Sequence, residues 1–360
     1  MQKLKQILHK DKPTTTDESQ SPKASNMVDI TVFKGDEQGK IFSETTKKEL
    51  GPRDVLIRVT HSGVCGTDVH YKQAKCGLGH EGTGIVEKVG PEVTLFKVGD
   101  RAGWGYNHNC CGHCEMCDKG LDTLCDKREM YGIAHLDQGS FASHGVWRED
   151  FVFHIPDEID SPHAAPLMCG GATVFNALYD GGLRATDRVG VIGVGGLGHL
   201  AIQFAKAMGC TVVVFSGSDS KKEEAKKLGA SEFYAMKGVT AETVEKLGCK
   251  PVQHFVVTTS AKPDWGVYMP LLAPLCVVYP LTVDEGDFAV PAMEIILKQL
   301  RIQGVLVADR GTHKRMLEFA ARHGVRPMIN EFKMNEQGIE DAFAALTGGK
   351  MRYRGVLVAE

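Results

Sequence analysis

The chain has 360 residues, 42% hydrophobic, 7% aromatic and 24% charged, a globular composition whose length predicts two domains with separate cores and excludes a stapled mini-protein, a coiled coil and a collagen-like chain. Its 42 basic and 45 acidic residues are mixed along the sequence and sum to a net charge of −3, which leaves no basic stripe for a phosphate backbone and argues against nucleic acid as a partner. Every long apolar run is broken by glycine, proline or charge before about 18 residues, so no membrane span or membrane partner is expected.

Residues 1–26 are polar, with Lys3, Lys5, Lys10 and Lys12 followed by Thr14, Thr15, Thr16, Asp17 and Glu18. They lack both arginine and the apolar core of a secretion signal, so a disordered tail is expected rather than a targeting peptide. From Met27 to about Asp150 short β-type runs follow one another: Asp29–Phe33, Val55–Thr60, Gly84–Val89 and Arg101–Trp104, separated by Gly-Pro and Val-Gly-Asp turns. That pattern predicts a β-rich domain. From about Gly171 strands and helices alternate: Val189–Ile192, a helical His199–Met208, Thr211–Phe215, a helical Ser220–Leu228, then Gln253–Thr258, Leu275–Tyr279, a helical Met293–Leu300 and Ile302–Val307. Alternation of this kind predicts a doubly wound parallel sheet of the α/β class. The helical Lys314–His323 and Glu336–Leu346, the extended Glu331–Met334 and the strand Gly355–Val358 come after that sheet is complete and are expected to return to the first domain. The predicted organisation is therefore a tail at 1–26, a β-rich domain at 27–171 with 309–360, and a doubly wound α/β domain at 172–308.

Eleven cysteines are present, an odd number, and six of them stand in metal-type positions. This usage predicts thiolate ligands in a reducing compartment, the cytoplasm, rather than disulfides. Cys111, Cys114, Cys117 and Cys125 are spaced C-x2-C-x2-C-x7-C beside Gly112 and Gly120. Two-residue gaps fold consecutive sulfurs onto one zinc ion, and a closed four-sulfur site is structural. Free buried thiols would have no reason to recur every three residues in a polar loop. Cys110 adjoins the set as a bystander.

This lobe resembles the structural-zinc lobe of the zinc-dependent medium-chain alcohol dehydrogenases, and the resemblance runs from Met27 to Val358. Through Gly79-His80-Glu81-Gly82 and the glycine loop described below, the chain is most similar to the cinnamyl-alcohol-dehydrogenase-like, NADP-preferring branch. The resemblance implies a GroES-like catalytic domain and a Rossmann nucleotide-binding domain.

Cys65, His80 and Cys169 offer two sulfurs and one imidazole, a set that leaves a fourth zinc position open for chemistry. The resemblance makes these three the ligands of a catalytic zinc and Glu81 the neighbouring acid that approaches the metal. It makes Asp68 the carboxylate that orients the histidine, Thr67 the hydroxyl beside the substrate oxygen and His70 the end of the proton relay. One departure stands out: only fourteen residues separate Cys65 from His80, fewer than in relatives, which predicts an altered pocket entrance. Cys76 lies inside this shortened loop as an alternative ligand or an oxidation site.

Val189–Ile192 leads into Gly193-Val194-Gly195-Gly196-Leu197-Gly198, which opens the helical His199–Met208. Strand, GxGxxG and helix in that order form the dinucleotide fingerprint: one glycine for the turn, one to admit the pyrophosphate, one for close packing. After the next strand comes Ser216-Gly217-Ser218-Asp219-Ser220-Lys221, whose hydroxyls and lysine suit a 2′-phosphate and hence NADP. Asp219 is the residue that would favour NAD. By resemblance Thr173 lies beside the nicotinamide, Ser260 lines the cofactor cleft and Arg354 lies near the phosphates.

The expected protein is an oxidoreductase with two zinc ions per chain that moves hydride between NADP(H) and a primary alcohol or aldehyde, aromatic or medium-chain. An NAD-linked alcohol or polyol dehydrogenase, and a non-catalytic cofactor-binding zinc protein, are the alternatives. The resemblance further implies a homodimer or homotetramer assembled through the nucleotide domain. The pocket is expected near Trp104, Asn107 and the turn after Tyr279.

Overall fold

A computed structural model describes residues 26–283 and 286–359; apart from Asn26, the expected tail lies outside the described residues. The chain opens with an antiparallel hairpin, Met27–Gly35 against Ile41–Glu49. Its turn is held by the Asp36 carboxylate, which accepts the Gln38 and Lys40 amides at 2.9 and 2.7 Å. The second hairpin strand, IFSETTKKE, carries almost no apolar alternation, so the sequence offered no signal for it.

A seven-stranded sheet follows. Its strands run in the order Ile329–Lys333, Arg354–Val358, Asp54–Val64, Gly82–Val89, Arg101–Trp104 and Val152–His154, with His144–Arg148 also pairing to Asp54–Val64. Two strands from the C-terminal region thus lie in the sheet built from the N-terminal region. The apolar side chains that alternate along these strands, among them Ile57, Val59, Val86 and Trp104, meet Ile339, Ala342 and Phe343 of the helix Glu336–Thr347. Asn335 starts that helix by accepting the Gly338 amide at 2.9 Å, which satisfies one of the donors a helix start leaves unpaired.

The second sheet has six parallel strands, ordered Glu232–Ala235, Thr211–Ser216, Arg188–Ile192, Val252–Val257, Leu272–Pro280 and Arg301–Ile302. Strands such as TVVVFS are buried on both faces, as a parallel sheet covered on two sides requires. One face packs Val189, Val191, Val212 and Val214 against Phe175, Leu200, Phe204, Met316 and Leu317. The other packs Phe215, Phe255 and Val278 against Val267, Met269 and Leu272. No helix among the described residues is long and apolar enough to cross a membrane.

Two elements near the cleft also differ from the sequence reading. The extended run expected at 302–307 is a strand only at Arg301–Ile302, because the Val307 carbonyl accepts from the Asn176 side chain at 2.9 Å and the chain leaves the ladder at Gly304. The helix Gly170–Asp180 was not expected. It begins with two glycines, which disfavour helix, and every residue from Gly170 to Leu178 is buried, so it shows no polar face to mark its period.

His199, on the first turn of the helix Gly198–Ala207, joins the glycine loop to the segment that enters the first sheet. It is fully buried; Nδ1–H donates to the Gly195 carbonyl at 2.9 Å and Nε2 accepts the Met328 amide at 3.1 Å. Burial is the main influence that pushes its pKa from 6.5 down to about 4. Between about pH 6.5 and 4 the unfolded chain binds a proton that the folded imidazole refuses, so stability falls with pH across that window, by about 3 kcal/mol at its lower end. Urea unfolding at pH 7 and pH 4 tests this: His199→Gln is expected to lose clearly less stability between the two than the wild type does.

Candidate active site

Cys65 precedes the short helical turn Gly66–His70, and Asp68 in that turn folds back so that its Oδ2 accepts the Cys65 amide at 2.8 Å. The other oxygen, Oδ1, lies 2.9 Å from His80 Nδ1. That bond fixes the tautomer: Nδ1 carries the proton, and Nε2 faces the Cys65 sulfur with no regular hydrogen-bond partner. Cys169 enters from the second region of the chain, immediately before the helix Gly170–Asp180. One ligand atom each from Cys65, His80, Glu81 and Cys169 lies within 4.8 Å of the others. The sequence-predicted set therefore converges in space.

The charges in this cluster are strongly coupled. Cys169 donates to Cys65 and is the main cause that drives Cys65 well below the ordinary thiol range, while Cys169 itself is held well above it. Burial, the largest single influence on His80, opposes its protonation, but Asp68 and Cys65 outweigh it and keep the imidazole well above its usual range. Burial pushes Glu81 up to about 7 despite the neighbouring Arg354. The donor set itself suits a divalent cation: two sulfurs, an imidazole nitrogen without a partner, and Glu81 Oε2, also without one. Two thiolates, a histidine and one exchangeable position make up an open zinc site.

Thr67 Oγ1 lies 3.6 Å from Cys65 Sγ, beside the cluster, and His70 is exposed at the end of the same turn. Cys76 is buried and lies apart from the group. It is not among the converging ligand atoms, and burial raises its pKa, so the thiolate form is disfavoured there. Trp104, expected at the pocket, is buried in the core of the seven-stranded sheet. The aromatic rings at the cluster are instead Tyr106 and Tyr131, with centroids 5.5 and 4.6 Å from His80. Tyr71 packs edge-on to Tyr131 at 5.2 Å. No spacing rule marks these tyrosines in the sequence, because they come from three separate segments.

Cys111, Cys114, Cys117 and Cys125 likewise bring four sulfurs within 4.8 Å of one another. Backbone amides point at them: the Cys111 and Lys127 N–H groups donate to Cys125 Sγ at 3.5 and 3.4 Å. Chiefly through the His113 amide, Cys111 is drawn down to about 7, while desolvation and the neighbouring sulfurs push Cys114 and Cys117 up to about 11. Amides aimed at sulfur favour thiolate, the form that binds metal.

The glycine loop has the geometry its sequence predicts. Gly193 has φ +91°, a conformation side chains disfavour. A Cβ on Gly198 would lie 2.1 Å from the Gly193 carbonyl oxygen, whereas one on Gly195 would meet nothing within 4 Å. The middle glycine thus faces open space at the start of a helix, a place suited to a diphosphate. Lys221 Nζ donates to the Val194 carbonyl at 2.6 Å and lies 4.9 Å above the Tyr353 ring, so this predicted phosphate residue reaches the loop. Ser216 ends its strand, Gly217 is open, and the Ser218 and Ser220 hydroxyls are 2.8 Å apart. Thr173 is buried one turn after Cys169, its amide bonded to the Cys169 carbonyl at 2.8 Å. Ser260, with Thr259, Lys262 and Phe288, lines a cavity of about 480 Å³ at the ends of two adjacent parallel strands.

Arg354 departs from expectation. Its guanidinium is buried and paired to Glu81 Oε1, with its Cδ and Nη1 close to Gly196 and the latter also to Gly170. A buried guanidinium requires a buried counter-charge, and Glu81 supplies it. The residue therefore stands between the glycine loop and the cluster rather than on the loop alone.

Residues 51–157 match the alcohol dehydrogenase GroES-like domain family and residues 196–322 match the zinc-binding dehydrogenase family. The chain is 35% identical over 326 residues to the NADP-dependent alcohol dehydrogenase C 1 of Mycolicibacterium smegmatis, covering 87% of this chain and 92% of that protein. It is 34% identical over 324 residues to an alcohol dehydrogenase of Geobacillus stearothermophilus, covering 87% and 94%. Among solved structures, a cinnamyl alcohol dehydrogenase from Sorghum bicolor superposes with a TM-score of 0.84 at 31% identity, over 92% of this chain and 97% of that one. A Helicobacter pylori CAD complexed with NADP(H) gives 0.82 at 25% identity, over 92% and 98%.

Glu81→Gln should leave the Arg354 charge buried without compensation and cost about 3–5 kcal/mol. Denaturant unfolding measures this, and the double variant Glu81→Gln, Arg354→Met is expected to regain most of the loss.

Proposed function

Since the chain belongs to the zinc-dependent alcohol dehydrogenases with a GroES-like domain, we propose that it is an NADP-linked alcohol dehydrogenase that reduces aldehydes, aromatic or medium-chain, and oxidises the matching primary alcohols. One observation carries this reading: the buried cluster of Cys65, His80, Glu81 and Cys169 is joined through Arg354 to the glycine loop. NADP dependence in the name of the mycobacterial relative supports the cofactor, as do Ser216, Gly217, Ser218 and Lys221 beside the loop.

In this reading Cys65, His80 and Cys169 hold a catalytic zinc, with Glu81 able to approach it, and Cys111, Cys114, Cys117 and Cys125 hold a structural one. The catalytic ion supplies a Lewis acid for the substrate oxygen, and the dinucleotide supplies or accepts the hydride. The chain's own residues do the rest. Asp68 holds the Nδ1–H of His80 and so keeps Nε2 turned inward. Thr67 passes the substrate proton toward His70, whose exposure lets it exchange with solvent. Arg354 pairs with Glu81 and opposes the burial that favours its protonation. Gly195 leaves room for the pyrophosphate, while Thr173 and Ser260 border the nicotinamide half of the cleft.

We assign residues 27–171 and 309–360 to the catalytic domain and 172–308 to the nucleotide-binding domain. The helix Arg310–His323 sits at their joint, since it packs on Gly170–Asp180. We further propose a homodimer formed at the open edge of the parallel sheet. There the strand Arg301–Ile302 is the last of its sheet, and Met293, Ile296, Leu297 and Ile302 are exposed; an apolar sheet edge is a pairing surface. All eleven cysteines are unpaired, which supports a reducing compartment, the cytoplasm.

Three measurements check these statements. NADPH oxidation with cinnamaldehyde, benzaldehyde and hexanal should exceed NADH oxidation, and Lys221→Ala should weaken NADPH use at least tenfold while barely changing NADH; an NADH preference would assign the ribose to Asp219. Thr67→Ala and Cys169→Ala should lower turnover by about 100-fold or more with NADPH binding retained, and normal turnover in either would sink the mechanism. Ile296→Glu with Leu297→Glu should convert a dimer to a monomer in light scattering.

A further inference from the structure

One buried side chain against the catalytic cluster has no part in the reading above: Tyr131. It comes from the far end of the cysteine lobe, six residues after Cys125, and is almost fully buried. Its ring stacks on the His80 imidazole, with centroids 4.6 Å apart and planes 29° from parallel. Its hydroxyl oxygen accepts the Gly79 amide at 3.1 Å, one residue before His80. Asp68 receives the Cys65 amide and His80 Nδ1–H.

The Tyr131 ring is itself held. Tyr71 and Tyr106 contact it edge-on, at 5.2 and 6.1 Å, and its amide donates to the Tyr106 carbonyl at 2.9 Å. Gly132 follows with φ +76°, and a Cβ there would lie 2.2 Å from the Tyr71 ring. Ring and backbone are thus locked on three sides, and the fourth faces His80.

An imidazole rotates softly about its last torsion, and one hydrogen bond at Nδ1 still lets the ring swing about that bond. A rigid ring lying over its face removes this freedom. We infer that Tyr131 is a positioning residue for the catalytic metal, its ring fixing the plane of His80 and its hydroxyl holding the Gly79 amide just before it, so that one side chain from the cysteine lobe orients both the ligand and the backbone that carries it. The inference rests on the metal reading of Cys65, His80 and Cys169. It also gives the lobe a task beyond its own stability, because Tyr131 is carried into place by the chain that Cys125 anchors.

The test is zinc release from the full-length, zinc-loaded protein to the chromophoric chelator 4-(2-pyridylazo)resorcinol. The release phase that is missing in Cys169→Ala identifies the ion in question. Tyr131→Phe keeps the ring and removes the hydroxyl; it should speed release of that ion about tenfold, and Tyr131→Leu, which also removes the stack, should speed it about 100-fold, in line with other groups that orient metal-bound histidines. The ion of the cysteine lobe should leave at the wild-type rate in both variants, and NADPH binding should be unchanged. In Co(II)-exchanged protein the visible bands of the catalytic site should shift in Tyr131→Phe. Wild-type release of both ions from Tyr131→Phe with an unshifted cobalt spectrum would overturn the inference even if that variant melts earlier. If wild-type protein holds a single ion and Cys169→Ala lacks no phase, the metal reading itself fails and the inference with it. Should Tyr131→Leu fail to fold, Tyr131→Phe alone decides.

Discussion

Four ionisable ligand atoms lie within 4.8 Å of one another in a buried place, and such a group cannot carry its charges without compensation. The surroundings answer that constraint atom by atom. Asp68 balances His80, Arg354 balances Glu81, and Cys65 and Cys169 hold one proton between them. Each of these partners is itself buried and must be positioned by the fold: Asp68 by a capping bond to Cys65, Arg354 by the last strand of the seven-stranded sheet. A divalent cation would replace the proton between the sulfurs and pair with the unpartnered atoms of His80 and Glu81.

The same constraint explains how the two sheets meet. Residues 352–354 enter the strand Arg354–Val358 and reach both halves of the cleft. Arg352 and Tyr353 pair with Glu224, beside the predicted phosphate residues, and Arg354 pairs with Glu81 in the cluster. Lys221 lies over the Tyr353 ring and bonds to the glycine loop. His199 adds a second tie through the Met328 amide. The Arg354–Glu81 pair and the His199 contact lie out of water, so they constrain the cleft more tightly than the exposed Arg352 pair does.

Much of this was readable from the residues alone where the chemistry is local. The cysteine spacing is a four-sulfur site because ligands two residues apart share one turn of backbone, and the structure gathers the four sulfurs as the spacing requires. The glycine loop is legible for the same reason: Gly193, Gly195 and Gly198 each meet a different local demand, a positive φ, open space and close packing. Periodicity found most strands of the parallel sheet. It missed Gly170–Asp180 because a helix buried on all sides has no polar face to reveal its turn, and it missed Ile41–Glu49 because that strand is nearly all polar.

What the sequence by itself determined, then, are the features set by neighbours along the chain: the cysteine lobe, the glycine loop, the strand-helix alternation and the composition of the open ligand set. What only the tertiary structure decided are the contacts between segments far apart. Arg354 reaches back 273 residues to Glu81, Tyr131 reaches from the cysteine lobe to His80 and the Gly79 amide, and Cys76 stays outside the converging ligand group although it lies between two of its members in sequence. The physical reason is common to all three. A buried charge or polar ring takes whichever partner the packing brings within a few ångströms, and that partner carries no mark of the meeting in its own stretch of sequence.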